Sequence, residues 1–295
     1  MNCDIHKFWL GVLLIAVVVA ASAACHRETP STNQTNSANQ NASSQASEAT
    51  RPSFEDKGDL KLQYHARQDN NAPTKVGSNP EALQKLVAEL NDRLILPFDI
   101  VISFEDCELP DASYDPQAHQ VTICHQLFDA YHDLLEPKIR DKKKLDDAIK
   151  ATTAAVFFHE LGHGLVDAWK IPITGREEDA VDQLSTLVLI EGTEDGEQMA
   201  LAGAISFKLF ADLDKSQRIY WDEHSLDEQR FFDTVCLVYG HDEKKYAYLV
   251  DDGTLPEERA VLCPDDYQRV SRAWRQLLGP YLKQPTQTRP KLKFR

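Results

Sequence analysis

The segment FFHELGHGLVDAW, residues 157–169, sets two imidazoles and one carboxylate into a stretch that is otherwise apolar up to Asp167. His159 and His163 are four residues apart, so on a helix they share a face and can offer ring nitrogens to a single ion. Glu160 lies about 100° further round the same helix. There its carboxylate reaches a water beside that ion better than the ion itself. Two nitrogen ligands and a general base are the parts of the HExxH zinc motif. A random chain of this length contains the pattern about one time in a hundred. The surroundings argue against accident. Ala154, Ala155, Val156, Phe157, Phe158, Leu161, Leu165 and Val166 make the helix apolar nearly all round, and an unpartnered ionisable group is expensive to bury there.

A catalytic zinc takes three protein ligands and keeps a position open for water. After Pro172 breaks the first helix, GREEDAVDQLSTLVLI, residues 175–190, begins a second that a short loop folds back antiparallel. Glu178 and Asp182 are four apart at its start and share a face. The expectation is Glu178 as third ligand, with Asp182 accepting a hydrogen bond from a zinc-bound histidine. Glu177 and Asp179 are rival ligands, and Glu177 lines up better with Val181, Leu184 and Val188. Acids at a helix start also complement the helix dipole without any metal.

These residues must be positioned by a folded body, and the patterning predicts an α+β one: a small amino-terminal sheet region packed on a mainly helical body. KLQYHA, FDIVISF and HQVTIC read as strands, and a helix starts at Pro80. The acidic stretch containing DCELPDASYDPQA reads as turns. Helices are expected over 124–136, 141–169, 176–212, 225–239, 242–251 and 265–281. No linker divides residues 55–285, which reads as a single domain, followed by a basic tail over 286–295.

The amino terminus is a separate object. MNCDIHK, an apolar run from Phe8 to Ala21 and SAAC ending at Cys25 read as a signal peptide over 1–24, with Cys25 lipidated as in the bacterial lipobox. Cleavage without lipidation is the alternative, because Ser22 stands where that pattern prefers Leu. Residues 25–54, rich in Ser, Thr, Asn and Gln, read as a disordered tether. The expected location is the periplasmic side of a bacterial outer membrane, reached through the lipid anchor. Cys107, Cys124, Cys236 and Cys263 remain in the exported part, and local disulfides, Cys107 with Cys124 and Cys236 with Cys263, fit the layout best. The net charge of -15 is spread along the 295 residues, which excludes a nucleic-acid surface. The sequence sets no oligomeric state.

At FFHELGHGLVDAW and GREEDAVDQ the chain resembles gluzincin-type zinc peptidases, in which an HExxH helix precedes a helix carrying Glu-x-x-x-Asp. More closely it resembles a bacterial family named as metallopeptidases from their motif and otherwise of unknown function. CELPDASYDPQAHQVTICHQL, WDEHSLDEQRFFDTVCLVYG and LPEERAVLC carry that resemblance, over about residues 100–275. It implies that the helical body is zincin-like, with zinc ligands at His159, His163 and Glu178 and with Glu160 as base. Some gluzincins steady the oxyanion with a downstream histidine oriented by an aspartate. His224 with Asp222 fits that part, and Tyr220 or Arg230 are alternatives. The expected function is zinc-dependent hydrolysis of peptide bonds in the cell envelope, on a protein or peptide substrate. A non-catalytic envelope scaffold that retains the fold is the alternative, and hydrolysis of a non-peptide amide would share the same site.

Overall fold

The structure, a computed structural model, describes residues 55–69, 72–77, 79–213, 218–283 and 291–292. The expected signal peptide, Cys25 and the tether lie outside the described residues. Those described all fall in one compact unit, Ala49–Arg295. The architecture is α+β. A four-stranded sheet has the order β1 (Leu60–Tyr64), β2 (Ile100–Glu105), β4 (Gln120–Cys124), β3 (Ala112–Asp115). The first three are parallel, and β3 pairs antiparallel with β4. Ile100, Ile102 and Phe104 of β2 and Val121 and Ile123 of β4 are buried, the period-2 signature of strands facing a core. The helix α1 (Pro80–Asn91) starts with Asn79 capping Ala82 N and a proline in its first turn.

β3 was not expected. It lies inside the acidic stretch read as turns, and four residues are too short to show alternation. Its pairing with β4 is closed by a turn in which Asp115 Oδ1 accepts from the backbone N–H groups of Gln117 and Ala118. His119 completes that turn with a left-handed φ of 50°.

The helical body follows: α2 (His125–Leu135), α3 (Lys142–Trp169), α4 (Glu177–Gly192), α5 (Gly196–Leu213), α6 (Asp227–His241), the single turns α7 (Tyr248–Asp251) and α8 (Glu257–Ala260), and α9 (Cys263–Leu278). The single helix expected over 176–212 is two helices. Thr193 turns extended, its hydroxyl bonding back to Leu189 O, and Asp195 adopts a φ of 54° before α5 begins. The expected helix over 242–251 shrinks to α7, because Asp242 Oδ1 accepts from Lys245 N and holds the preceding residues in a turn.

The axis of the body is α3, capped by Asp141 on Lys144 N. Its far end is fixed by Trp169, which donates from Nε1 to Ile95 O at 2.8 Å and stacks on Tyr281. Cys107–Cys124 and Cys236–Cys263 are disulfides, the second joining α6 to α9. Leu292, within the stretch read as a basic tail, is buried and pairs with Thr193. Among the described residues no helix is long and apolar enough to cross a membrane.

Candidate metal centre

The site is made where α3 meets α4. The contacts His163–Glu177, His159–Asp182 and Ala155–Ser185 run in opposite chain directions, so the two helices are antiparallel, as the short connection between them requires. Gly162 permits the close approach: a Cβ there would stand 3.1 Å from Val181 Cβ. The crossing lays the acidic start of α4 over the histidine face of α3.

Three donor atoms converge. His159 Nε2 and His163 Nε2 are 3.3 Å apart, and Glu178 Oε2 lies 3.0 Å from the first and 3.3 Å from the second. A tetrahedral ion with donors at ~2.0–2.2 Å keeps them ~3.3–3.6 Å apart. Two edges of the triangle, at 3.3 Å, meet that spacing and the third, His159 Nε2 to Glu178 Oε2 at 3.0 Å, is a few tenths short of it, and two imidazoles with one carboxylate suit zinc or a similar first-row ion. Among the described residues this is the one cluster of His, Cys, Asp or Glu donors so arranged.

The outer contacts hold the donors in place. His159 Nδ1 is 2.7 Å from Asp182 Oδ1, which fixes its ring and leaves Nε2 for the centre. Asp182 is itself gripped by Arg230, Nε to Oδ2 at 2.7 Å and Nη2 to Oδ1 at 2.9 Å. Glu177 takes a different place from the rival ligand position: its Oε1 is 2.8 Å from His163 Nδ1, behind that ring. Asp179 accepts from Ser225 Oγ at 2.6 Å and is also drawn away. Glu178 is therefore the carboxylate that the fold brings to the centre.

Electrostatics follow from this packing. Burial disfavours a charged His159, yet Asp182 and Glu178 outweigh it and raise its pKa to about 9. His163 is raised in the same way, burial opposing and Glu178 and Glu177 prevailing. Burial also opposes charge on Asp182, but His159 and Arg230 lower its pKa to about 2. Glu178 is held far below the usual carboxylate range, since His159, His163 and His224 all bond to it against the pull of burial. Glu160 goes the other way: burial raises its pKa, and its carboxylate makes no hydrogen bond to another described residue. A buried, unpaired carboxylate beside the donor triangle is free to accept a proton from a third party.

His224 arrives from the segment before α6. Asp222 Oδ1 accepts from His224 N at 2.9 Å and lies 3.2 Å from its Nδ1, while His224 Nε2 is 3.0 Å from Glu178 Oε2. Arg176 pins this segment to the start of α4 through His224 O at 3.0 Å. Of the alternatives to His224, Arg230 is spent on Asp182, and Tyr220 is exposed and lines neither space beside the centre.

An open cleft of about 490 Å³ runs past Glu160, His163, Glu178 and His224. One wall is β3, through Ala112, Ser113 and Tyr114, and β3 is an edge strand. Tyr114 ties it to α3 by donating to Asp167 Oδ2 at 2.8 Å. The sequence reading missed β3, the Tyr114–Asp167 tie and the grip of Arg230 on Asp182. Asp167 carried a signal, since it falls one turn beyond His163 on the same face of α3.

No curated protein and no solved structure matches the chain. A family model does, over residues 63–278, a span that contains every element of the centre just described. On that match the chain belongs to the family described as "Putative metallopeptidase".

Proposed function

We propose that the protein is a zinc-dependent peptidase of the gluzincin type, acting on protein or peptide substrates in the cell envelope. The observation that carries this reading is the donor triangle of His159, His163 and Glu178 with the unpaired, buried Glu160 beside it. A purely structural zinc site is closed by a fourth protein ligand and has no use for a base. Zinc, when bound, supplies a Lewis acid that polarises the scissile carbonyl and acidifies water.

The chain does the rest. His159, His163 and Glu178 hold the ion, and Asp182 and Glu177 orient the two rings. Glu160 takes the proton of the attacking water and passes it to the leaving amine. His224, as an imidazolium with Nδ1–H on Asp222, would turn its Nε2–H from Glu178 Oε2, its partner at 3.0 Å in this structure, to the oxyanion that forms at the carbonyl. A substrate strand lying in the cleft finds the free backbone edge of β3 beside it, which favours an extended peptide. The two disulfides support an oxidising compartment, in keeping with export and lipidation at Cys25 into the periplasmic face of the outer membrane.

The test is the zinc content of the purified full chain, beside Glu178→Gln and Glu177→Gln. The expected result is about one zinc per chain, lost with Glu178→Gln and kept with Glu177→Gln, together with chelator-sensitive cleavage of an unfolded protein substrate. No zinc after reconstitution sinks the reading.

A further inference from the structure

A second space opens on the other side of the centre. It is a cavity of about 220 Å³ that shares His159, Glu160 and His224 with the cleft and continues between α2, α3, α4, α5 and α6. Small residues on its lining let α3 and α5 meet. Ala155 lies one turn before His159 on α3, and Gly203 of α5 faces it so closely that a Cβ at Gly203 would meet Ala155 Cβ at 2.9 Å. Phe207 and Phe210 give an apolar wall. The guanidinium on its lining, Arg230, is neutralised by Asp182 and lies 4.0 Å over the Phe207 ring.

Two side chains on the lining have no evident employment. Tyr131 is 4% exposed and Thr234 is 7% exposed. Both line the cavity, and neither hydroxyl bonds to another described residue. Neither oxygen is sealed off, since among the described residues the buried side-chain atoms without a partner are Arg67 Nε and Asp129 Oδ1, so both hydroxyls are open to the cavity. Burial keeps the Tyr131 phenol protonated, so it remains a donor as well as an acceptor.

We propose that this cavity receives one substrate side chain next to the scissile bond, and that it selects an uncharged chain with an apolar body and a hydrogen-bonding tip, of about the size of a phenol. This rests on the peptidase reading. A cavity of ~150 Å³ already holds benzene, so an aromatic ring fits. The Phe207 and Phe210 wall takes the ring, and Tyr131 and Thr234 take the tip. A carboxylate side chain is disfavoured, because Glu160, Asp182 and Asp227 line the same space, while Arg230 and His159 are paired with Asp182 and His224 with Glu178 and Asp222.

Two readouts on the full chain test this. The first needs no turnover: NMR titration with p-cresol, toluene and p-toluate, with p-toluate scored on the zinc-free chain because a carboxylate can take the open position of a bound zinc. The expected order is p-cresol, then toluene, with p-toluate not binding. Tyr131→Phe, which removes one atom and leaves zinc content intact, should weaken p-cresol roughly tenfold and toluene hardly at all. Thr234→Val, which removes the other hydroxyl at nearly constant volume, should weaken p-cresol in the same way and leave toluene unchanged. The second readout is cleavage of a peptide library by the zinc-loaded chain, where Tyr is expected over Phe, and both over Asp, at one position flanking the cut, with Tyr131→Phe erasing the difference between Tyr and Phe. Probe binding that ignores Tyr131→Phe and Thr234→Val, or a cleavage profile indifferent to both, overturns the assignment. Probe binding as expected without any hydrolysis sinks the peptidase reading and leaves the cavity's ligand class standing.

Discussion

The helix α3 has two faces with opposite physics. On one, Phe158, Leu161, Leu165 and Trp169 join the apolar core with Leu184, Leu187 and Trp274. Each such side chain stabilises the fold by about 1.5–3 kcal/mol. On the other, His159 and Glu160 are nearly as well buried, at 5% and 8% exposure, and burial works against the charged form of both. The difference teaches how a helix can hold groups that oppose folding: the apolar face fixes its position, and the polar face is then tolerable because every group but one is bonded. The exception is Glu160, where an unmet bond is what a base requires.

The sharpest way to break the comparison is Glu160→Gln. Hydrolysis should fall by about 10²–10⁴, with zinc content unchanged and the melting temperature the same or slightly higher, because a buried carboxylate has become neutral. Hydrolysis at the parent rate would remove Glu160 from the mechanism. The counterpart on the apolar face is Trp169→Ala, which deletes the stack on Tyr281 and the bond to Ile95 O. Urea unfolding should show a loss of about 3–5 kcal/mol, with the zinc-to-chain ratio preserved below the transition. Were the two losses of stability equal, the division of α3 into a supporting face and a working face would be wrong.

Much of this was legible in the sequence, and the misses have physical reasons. His159, Glu160 and His163 are local on one helix, so spacing alone places them. Glu178 was harder. Periodicity favoured Glu177, because it counts which residues align with the apolar stripe of α4, whereas the choice is made by where α3 crosses. The break between α4 and α5 was missed because GTEDG carries its turn in the left-handed φ of Asp195, which strong flanking helix signals conceal. β3 was missed for its length, although it forms a wall of the cleft. The two disulfides were legible because each closes a short loop, between residues 17 and 27 apart in sequence. The cavity behind His159 was invisible, since it is made by what α2, α3, α4, α5 and α6 leave unfilled.

A finer test compares two carboxylates within the working face. Asp182 and Glu177 both stand at the Nδ1 of a histidine, at 2.7 Å and 2.8 Å. Their surroundings differ: the Asp182 side chain is 18% exposed and gripped by Arg230, and that of Glu177 is 47% exposed. A carboxylate shielded from water interacts strongly with its partner, while an exposed pair is screened and contributes about 0.2–1 kcal/mol. Asp182→Asn should therefore weaken zinc affinity about 10–100-fold, measured by competition with a chromophoric chelator. Glu177→Gln should weaken it about fivefold at most. Equal effects would mean that the ring of His163 depends on its outer partner as much as that of His159 does, and that burial does not set which hydrogen bond steers the centre. The ordering is expected because α4 enters the crossing with Glu177 at its exposed first turn and Asp182 one turn deeper, where the cavity and Arg230 close around it.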